Sequence, residues 1–155
     1  MNLPQQIARH FREMHEGGSM TGVHLYGQLE GVTFEQATKK MHDFHTIAEL
    51  TYHINYYISA VVKVLQGGPL DAHDKFSFDC PPINSEDDWQ QLQTKCRADA
   101  KAFAQLVEAM PEPQMDKAFA NAKYGTWHRN LMGLMEHTHY HLGQIALIKK
   151  LVTAR

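Results

Sequence analysis

The chain has 155 residues, 43% of them apolar and 21% charged, with a formal net charge of −2. At this length one domain is the default, and folding can bury about 68–70% of the unfolded surface without disulfides. The weak charge and the lack of a Lys/Arg block argue against nucleic-acid binding, and no apolar run approaches the roughly 18 residues of a membrane span. The N-terminus Met1-Asn-Leu-Pro4 lacks a basic stretch followed by an apolar one, so no signal peptide is expected. Cys80 and Cys96 form no disulfide or metal framework by spacing. A reduced, cytoplasmic setting is the expectation. The unusual feature is 11 histidines against 7 Phe and 6 Tyr.

Pro4 to Glu16 reads as a first helix, striped by Ile7, Phe11 and Met14 and stopped by Gly17-Gly18. His10 and His15 on it read as solvated or boundary residues. Glycines 17, 18, 22, 27 and 31 then make a long crossing segment, whose Val23, Leu25, Tyr26 and Leu29 should pack on the core. Thr33-Phe-Glu-Gln36 is a capping box that begins a short helix. His42 and His45 follow, three apart, and are ligand candidates only if that piece is helical.

Thr46-Ile-Ala-Glu49 is a second capping box and starts a long helix that runs to about Gln66. It places His45 just outside. Ile47, Leu50, Ile54, Ile58 and Val61 give this helix a wide apolar face, and His53, three after Leu50, points to the core side. Gly67-Gly68-Pro69 ends it. The polar loop 67–84 carries Phe76 and Phe78 and is a candidate lid or partner surface. Ser85 with Glu86, Asp87 and Asp88 caps a third helix, extending to Met110, with Cys96 as a small buried residue. One helical turn is expected between Met115 and Asn121. Tyr124-Gly125-Thr126 leads into the last long helix, which reaches about Val152.

The last helix carries the chemistry. His137 and His141 are four apart, so they lie one turn above the other with Cβ atoms about 5–6 Å apart. Two imidazoles at that spacing can converge on one ion, with metal–nitrogen bonds of about 2.0–2.1 Å. His139 points elsewhere. A histidine pair of this kind is common without metal, but Leu134, His141 and Ile145 place His137 at the edge of the apolar stripe. Gln144, three residues after His141, stands where it can support a ligand or meet a substrate. His53 is the candidate third ligand; Glu49, one turn before it, either orients it as a carboxylate or serves the helix cap, with the cap favoured. The pattern is therefore all-α, four long helices with a long connection between the first and second.

These segments resemble the DinB/YfiT-like superfamily, bacterial metal-binding four-helix bundles. The resemblance rests on Thr46-Ile-Ala-Glu-Leu-Thr-Tyr-His53 and on His137-Thr-His-Tyr-His-Leu-Gly-Gln144, and covers most of the chain. It implies a His53, His137, His141 metal triad filled by nickel or zinc, a cleft among the helices and a homodimer. It also implies activities such as thiol S-transfer with low-molecular-weight thiols, or metal-dependent hydrolysis. Three imidazoles suit such transition ions rather than Mg or Ca, and three protein ligands leave a position open, as in catalytic sites. The expected chemistry is a water or thiol activated at the metal to attack a small molecule. Glu49 is the first candidate base or orienting group, with Gln144 and Tyr57 behind it. The alternative is a non-catalytic, metal- or ligand-binding stress-response bundle.

Overall fold

Each long helix begins at a side chain that satisfies its free N–H groups. The computed structural model describes residues 1–154 and is all-helical. Asn2 and Gln5 form a reciprocal box that starts α1 (Leu3–Glu16). After α1 the crossing segment holds one short helix, α2 (Leu25–Leu29), with His24 as its cap. Thr33 and Gln36 cap the short α3 (Phe34–Thr38), as the sequence predicts. Thr46 and Glu49 cap α4 (Ile47–Leu65). Ser85 caps α5 (Glu86–Glu108), whose first turn holds three acids that suit the positive end of the helix. Thr126 caps α6 (Trp127–Thr153).

The four long helices pack in a ring, in the order α1, α5, α4, α6. Their apolar stripes meet in one core. Phe11 of α1 lies against Phe103 of α5, with ring centroids 4.2 Å apart. Leu50, Ile54 and Ile58 of α4 and Leu131 and Ile145 of α6 are almost wholly buried. Leu25 and Leu29 of the crossing segment are buried too, and Trp89 of α5 ties that segment down by donating from Nε1 to the Val32 carbonyl at 2.8 Å. Because α4 lies between α5 and α6, its core-facing residues look directly at α6. Among the described residues, no helix is long and apolar enough to cross a membrane.

Two local expectations are corrected. The segment after α5 makes no helical turn at 115–121. It makes two short 3-10 turns, Glu112–Gln114 and Ala122–Tyr124, around an isolated antiparallel bridge between Ala118 and Thr126. Trp127 and His128 donate their backbone N–H groups to Lys117 and Met115, so this segment clasps the start of α6. The second correction is His15. It is buried, 2% exposed, and donates from Nδ1 to the Phe11 carbonyl at 2.9 Å, while Nε2 has no partner.

Burial lowers the pKa of His15 to about 4, against the Phe11 hydrogen bond that favours the charged form. The unfolded chain therefore binds a proton that the folded chain refuses between pH about 6.5 and about 4. Stability is fully present above that window and falls as pH drops through it, by on the order of 3 kcal/mol for a shift of this size. Urea unfolding should give a lower midpoint at pH 5.0 than at pH 7.5. The difference should shrink in His15→Leu; an unchanged difference in that variant contradicts the assignment.

Candidate metal centre

The cap at Thr46 sets the register of α4. Thr46 Oγ1 accepts from Glu49 N at 3.1 Å, and Thr46 N donates to Glu49 Oε2 at 2.8 Å. Seven residues on, close to two full turns, His53 returns to the face that meets α6. On α6, His137 and His141 stand one turn apart on the face toward α4. One ring nitrogen from each of His53, His137 and His141 lies within 4.8 Å of the others, close enough for the three to hold a metal ion. His53 Nε2 and His137 Nε2 are 2.9 Å apart. Two nitrogens bound to one ion at about 2.0–2.1 Å stand about 2.9 Å apart at a right angle and about 3.3 Å apart at the tetrahedral angle. The His53–His137 pair thus already stands at a shared-ion separation, and His141 lies close enough for the three to hold one ion once its ring draws in.

The proton pattern suits that role. His53 donates from Nδ1 to the Ser77 carbonyl at 3.1 Å, so its Nε2 presents a lone pair to the centre. His141 donates from Nδ1 to Gln144 Oε1 at 2.6 Å, which leaves its Nε2 bare as well. His137 Nε2 then carries the proton shared with His53, and His137 Nδ1 is buried without a partner. A cation at the centre would move that proton to Nδ1 and turn the third lone pair inward. All three pKa values are depressed. Burial is the leading cause for each. Mutual repulsion adds to it most at His137, which falls to about 4. The rings are thus neutral at neutral pH, the form that ligates metal.

Around the triad is a ring of groups that the sequence reveals only in part. Gln144 accepts from His141 through Oε1. Glu49 does not orient His53. Its Oε2 accepts from Thr46 N and from His45 Nδ1 at 3.2 Å, and Lys40 Nζ is 3.5 Å away. Burial raises the Glu49 pKa, but the Thr46 hydrogen bond, Lys40 and His45 outweigh it and hold the carboxyl below its usual range. An ionised carboxylate so occupied is a weak base. The orienting group is instead the Ser77 carbonyl. Tyr57 packs close to perpendicular to both His53 and His137, with ring centroids 5.3 and 4.9 Å away. Its hydroxyl donates to Asp74 Oδ1 at 2.8 Å. Burial first, then that hydrogen bond, pushes the Tyr57 pKa up, so it is a wall rather than a base.

Phe78 enters the sequence reading only as part of the candidate lid loop, with no contact to the histidines expected of it. Its ring stacks on His53 at 3.8 Å and on His45 at 3.9 Å, nearly parallel to both. Loop 67–84 therefore closes over α4 and supplies both the acceptor and the apolar cover of His53. Position 78 sits in a run of turns without periodicity, and only the alternation of Phe76 and Phe78 hinted that the loop packs down.

The remaining candidates lie away from the centre. His139 faces α1, its ring 5.8 Å from that of His10. His42 is exposed in a left-handed turn, φ 50°, outside any helix. His45 is held by Glu49 and Phe78 rather than by the triad. Burial raises the Cys96 thiol to about 12 and the Cys80 thiol to about 11, so neither is a thiolate at neutral pH. Beside the triad a cavity of about 680 Å³ opens between α4, α6 and the loop, with His137 and Tyr57 in its wall.

Alanine at His53, His137 or His141 should each abolish stoichiometric zinc or nickel in elemental analysis, while His139→Ala keeps it. Gln144→Ala should keep the metal but weaken its affinity by about ten- to a hundredfold, the usual effect of losing a group that orients a ligand. Loss of metal in His139→Ala, with retention in His53→Ala, contradicts the geometry. Compared with known proteins, the chain matches no family model, no curated sequence and no solved structure.

Proposed function

We propose that the protein is a metal-dependent enzyme of the DinB/YfiT type, a four-helix bundle that acts on a small molecule by hydrolysis or thiol transfer. The observation that carries this reading is the meeting of three neutral imidazoles beside a cavity. His53, His137 and His141 hold a divalent transition ion, nickel or zinc. Such an ion supplies Lewis acidity, which makes a weak acid such as water or a low-molecular-weight thiol nucleophilic near neutral pH. Ser77 and Gln144 hold the His53 and His141 rings through their Nδ1 atoms. Phe78 and Tyr57 keep water from the back of His53 and leave the cavity as the route of approach. Of the four long helices, α6 also leaves Met132, Tyr140, Leu147 and Leu151 exposed. These positions support a homodimer formed on that side.

A second reading is a non-catalytic metal- or ligand-binding bundle of the stress-response kind. It is favoured by the engagement of Glu49 with its helix cap and of Tyr57 with Asp74, which leaves no dedicated base at the centre.

Metal-loaded protein should turn over at least one member of a panel of thiol-transfer, ester and amide substrates. The activity should vanish on chelation and in His141→Ala, and return with zinc or nickel. Full metal occupancy without turnover across the panel supports the second reading. Light scattering should give twice the monomer mass, and a monomeric mass removes the dimer.

A further inference from the structure

We propose that the cavity beside the triad selects small organic acids, with Arg129 holding the carboxylate at the end remote from the histidines. This rests on the metal centre proposed above and names the class of molecule that reaches it.

The cavity has two ends. One is His137, with Tyr57 beside it; the other is Arg129, in the first turn of α6. The two residues are eight apart on one helix, about 12 Å along its axis. Between them the wall is largely apolar: Val61, Leu70, Phe119 and Leu134. A volume of about 680 Å³ lies within the usual range for small-molecule pockets.

Charge is placed unevenly along this slot. Arg129 makes no ion pair or side-chain hydrogen bond among the described residues, and α6 has no acid in its first turn. A guanidinium at the positive end of a helix is unfavourable locally, since that end prefers anions. In α5 the same end carries three acids. At α6 the first N–H groups are met by Thr126 and by the Lys117 and Met115 carbonyls, while the exposed Arg129 guanidinium has no acid beside it, at the rim of a cavity. Gly125 permits this placement. A Cβ there would come within 2.9 Å of Arg129 Cδ, and its φ is +81°. Lys75, on the loop side of the rim, adds a second cation. The acid at the rim, Asp74, accepts from Tyr57.

A carboxylate fits better than a phosphate. The guanidinium fork matches two carboxylate oxygens. A phosphate at a helix start also needs free backbone N–H groups. Here those groups are engaged: Trp127 N with the Lys117 carbonyl, His128 N with the Met115 carbonyl, and Arg129 N with Thr126 Oγ1.

The probes are 6-mercaptohexanoate and its neutral analogue 6-mercaptohexanol, titrated calorimetrically into zinc-loaded protein whose metal content is measured on the same sample. The acid should bind about tenfold or more tightly than the alcohol, as a charge-assisted fork allows. Arg129→Gln should erase that preference and leave the affinity for the alcohol unchanged. Equal affinities in the wild type, binding of neither probe, or a preference that survives in Arg129→Gln overturns the proposal. If the protein holds no zinc, the metal reading fails by itself. The same pair titrated into the metal-free chain then tests the acid preference alone, with the same outcomes on either side.

Discussion

His53 Nε2 and His137 Nε2 stand 2.9 Å apart, and much of the molecule is arranged to keep them there. Two neutral rings, one buried and one half-buried, gain little from each other at that distance beyond one shared proton. The approach is imposed by the register of α4 against α6. That register is set by the Thr46 cap at one end of α4 and by the clasp of residues 115–118 on the start of α6 at the other. The apolar stripes do the rest, since sliding α4 by one residue would turn His53 about 100° away from the partner helix.

The loop between α4 and α5 completes the site at modest energetic cost. It is fastened to α4 at three places. Ser77 accepts from His53, Asp74 accepts from Tyr57, and the His73 backbone exchanges two hydrogen bonds with the Tyr56 hydroxyl at 3.1 and 2.8 Å. Each such bond contributes about 0.5–1.5 kcal/mol net. Together with the stack of Phe78 on His53 they hold a segment without long helices of its own. The loop thereby shields one side of the triad while the cavity keeps another accessible.

Much of this was legible in the sequence. The capping boxes at Thr33 and Thr46 are local signals, because the groups that satisfy each other lie three residues apart, and both helices start where those boxes put them. The His137 and His141 pair is local in the same sense. His53 could be nominated because its position in the apolar stripe already aimed it inward. What the sequence could not show is partner choice across long sequence distances. Glu49 sits one turn before His53, and its carboxylate goes to the cap, the role its capping box favours, and to His45. The Ser77 carbonyl takes the vacant role from 24 residues away. A backbone acceptor leaves no trace in composition. His15 looked like a boundary residue on α1, and only the packing of α2 and α5 around that helix buries it.

The central claim is that the Nε2 atoms of His53, His137 and His141 bind one transition ion between α4 and α6. Anomalous diffraction from crystals grown with nickel or zinc tests it most directly, since it identifies the ion and its ligands together. The expected result is a single anomalous peak about 2.0–2.1 Å from all three nitrogens, with no fourth protein ligand. A peak bound elsewhere, for instance between His10 and His139, or no peak at the triad at saturating metal, would contradict it.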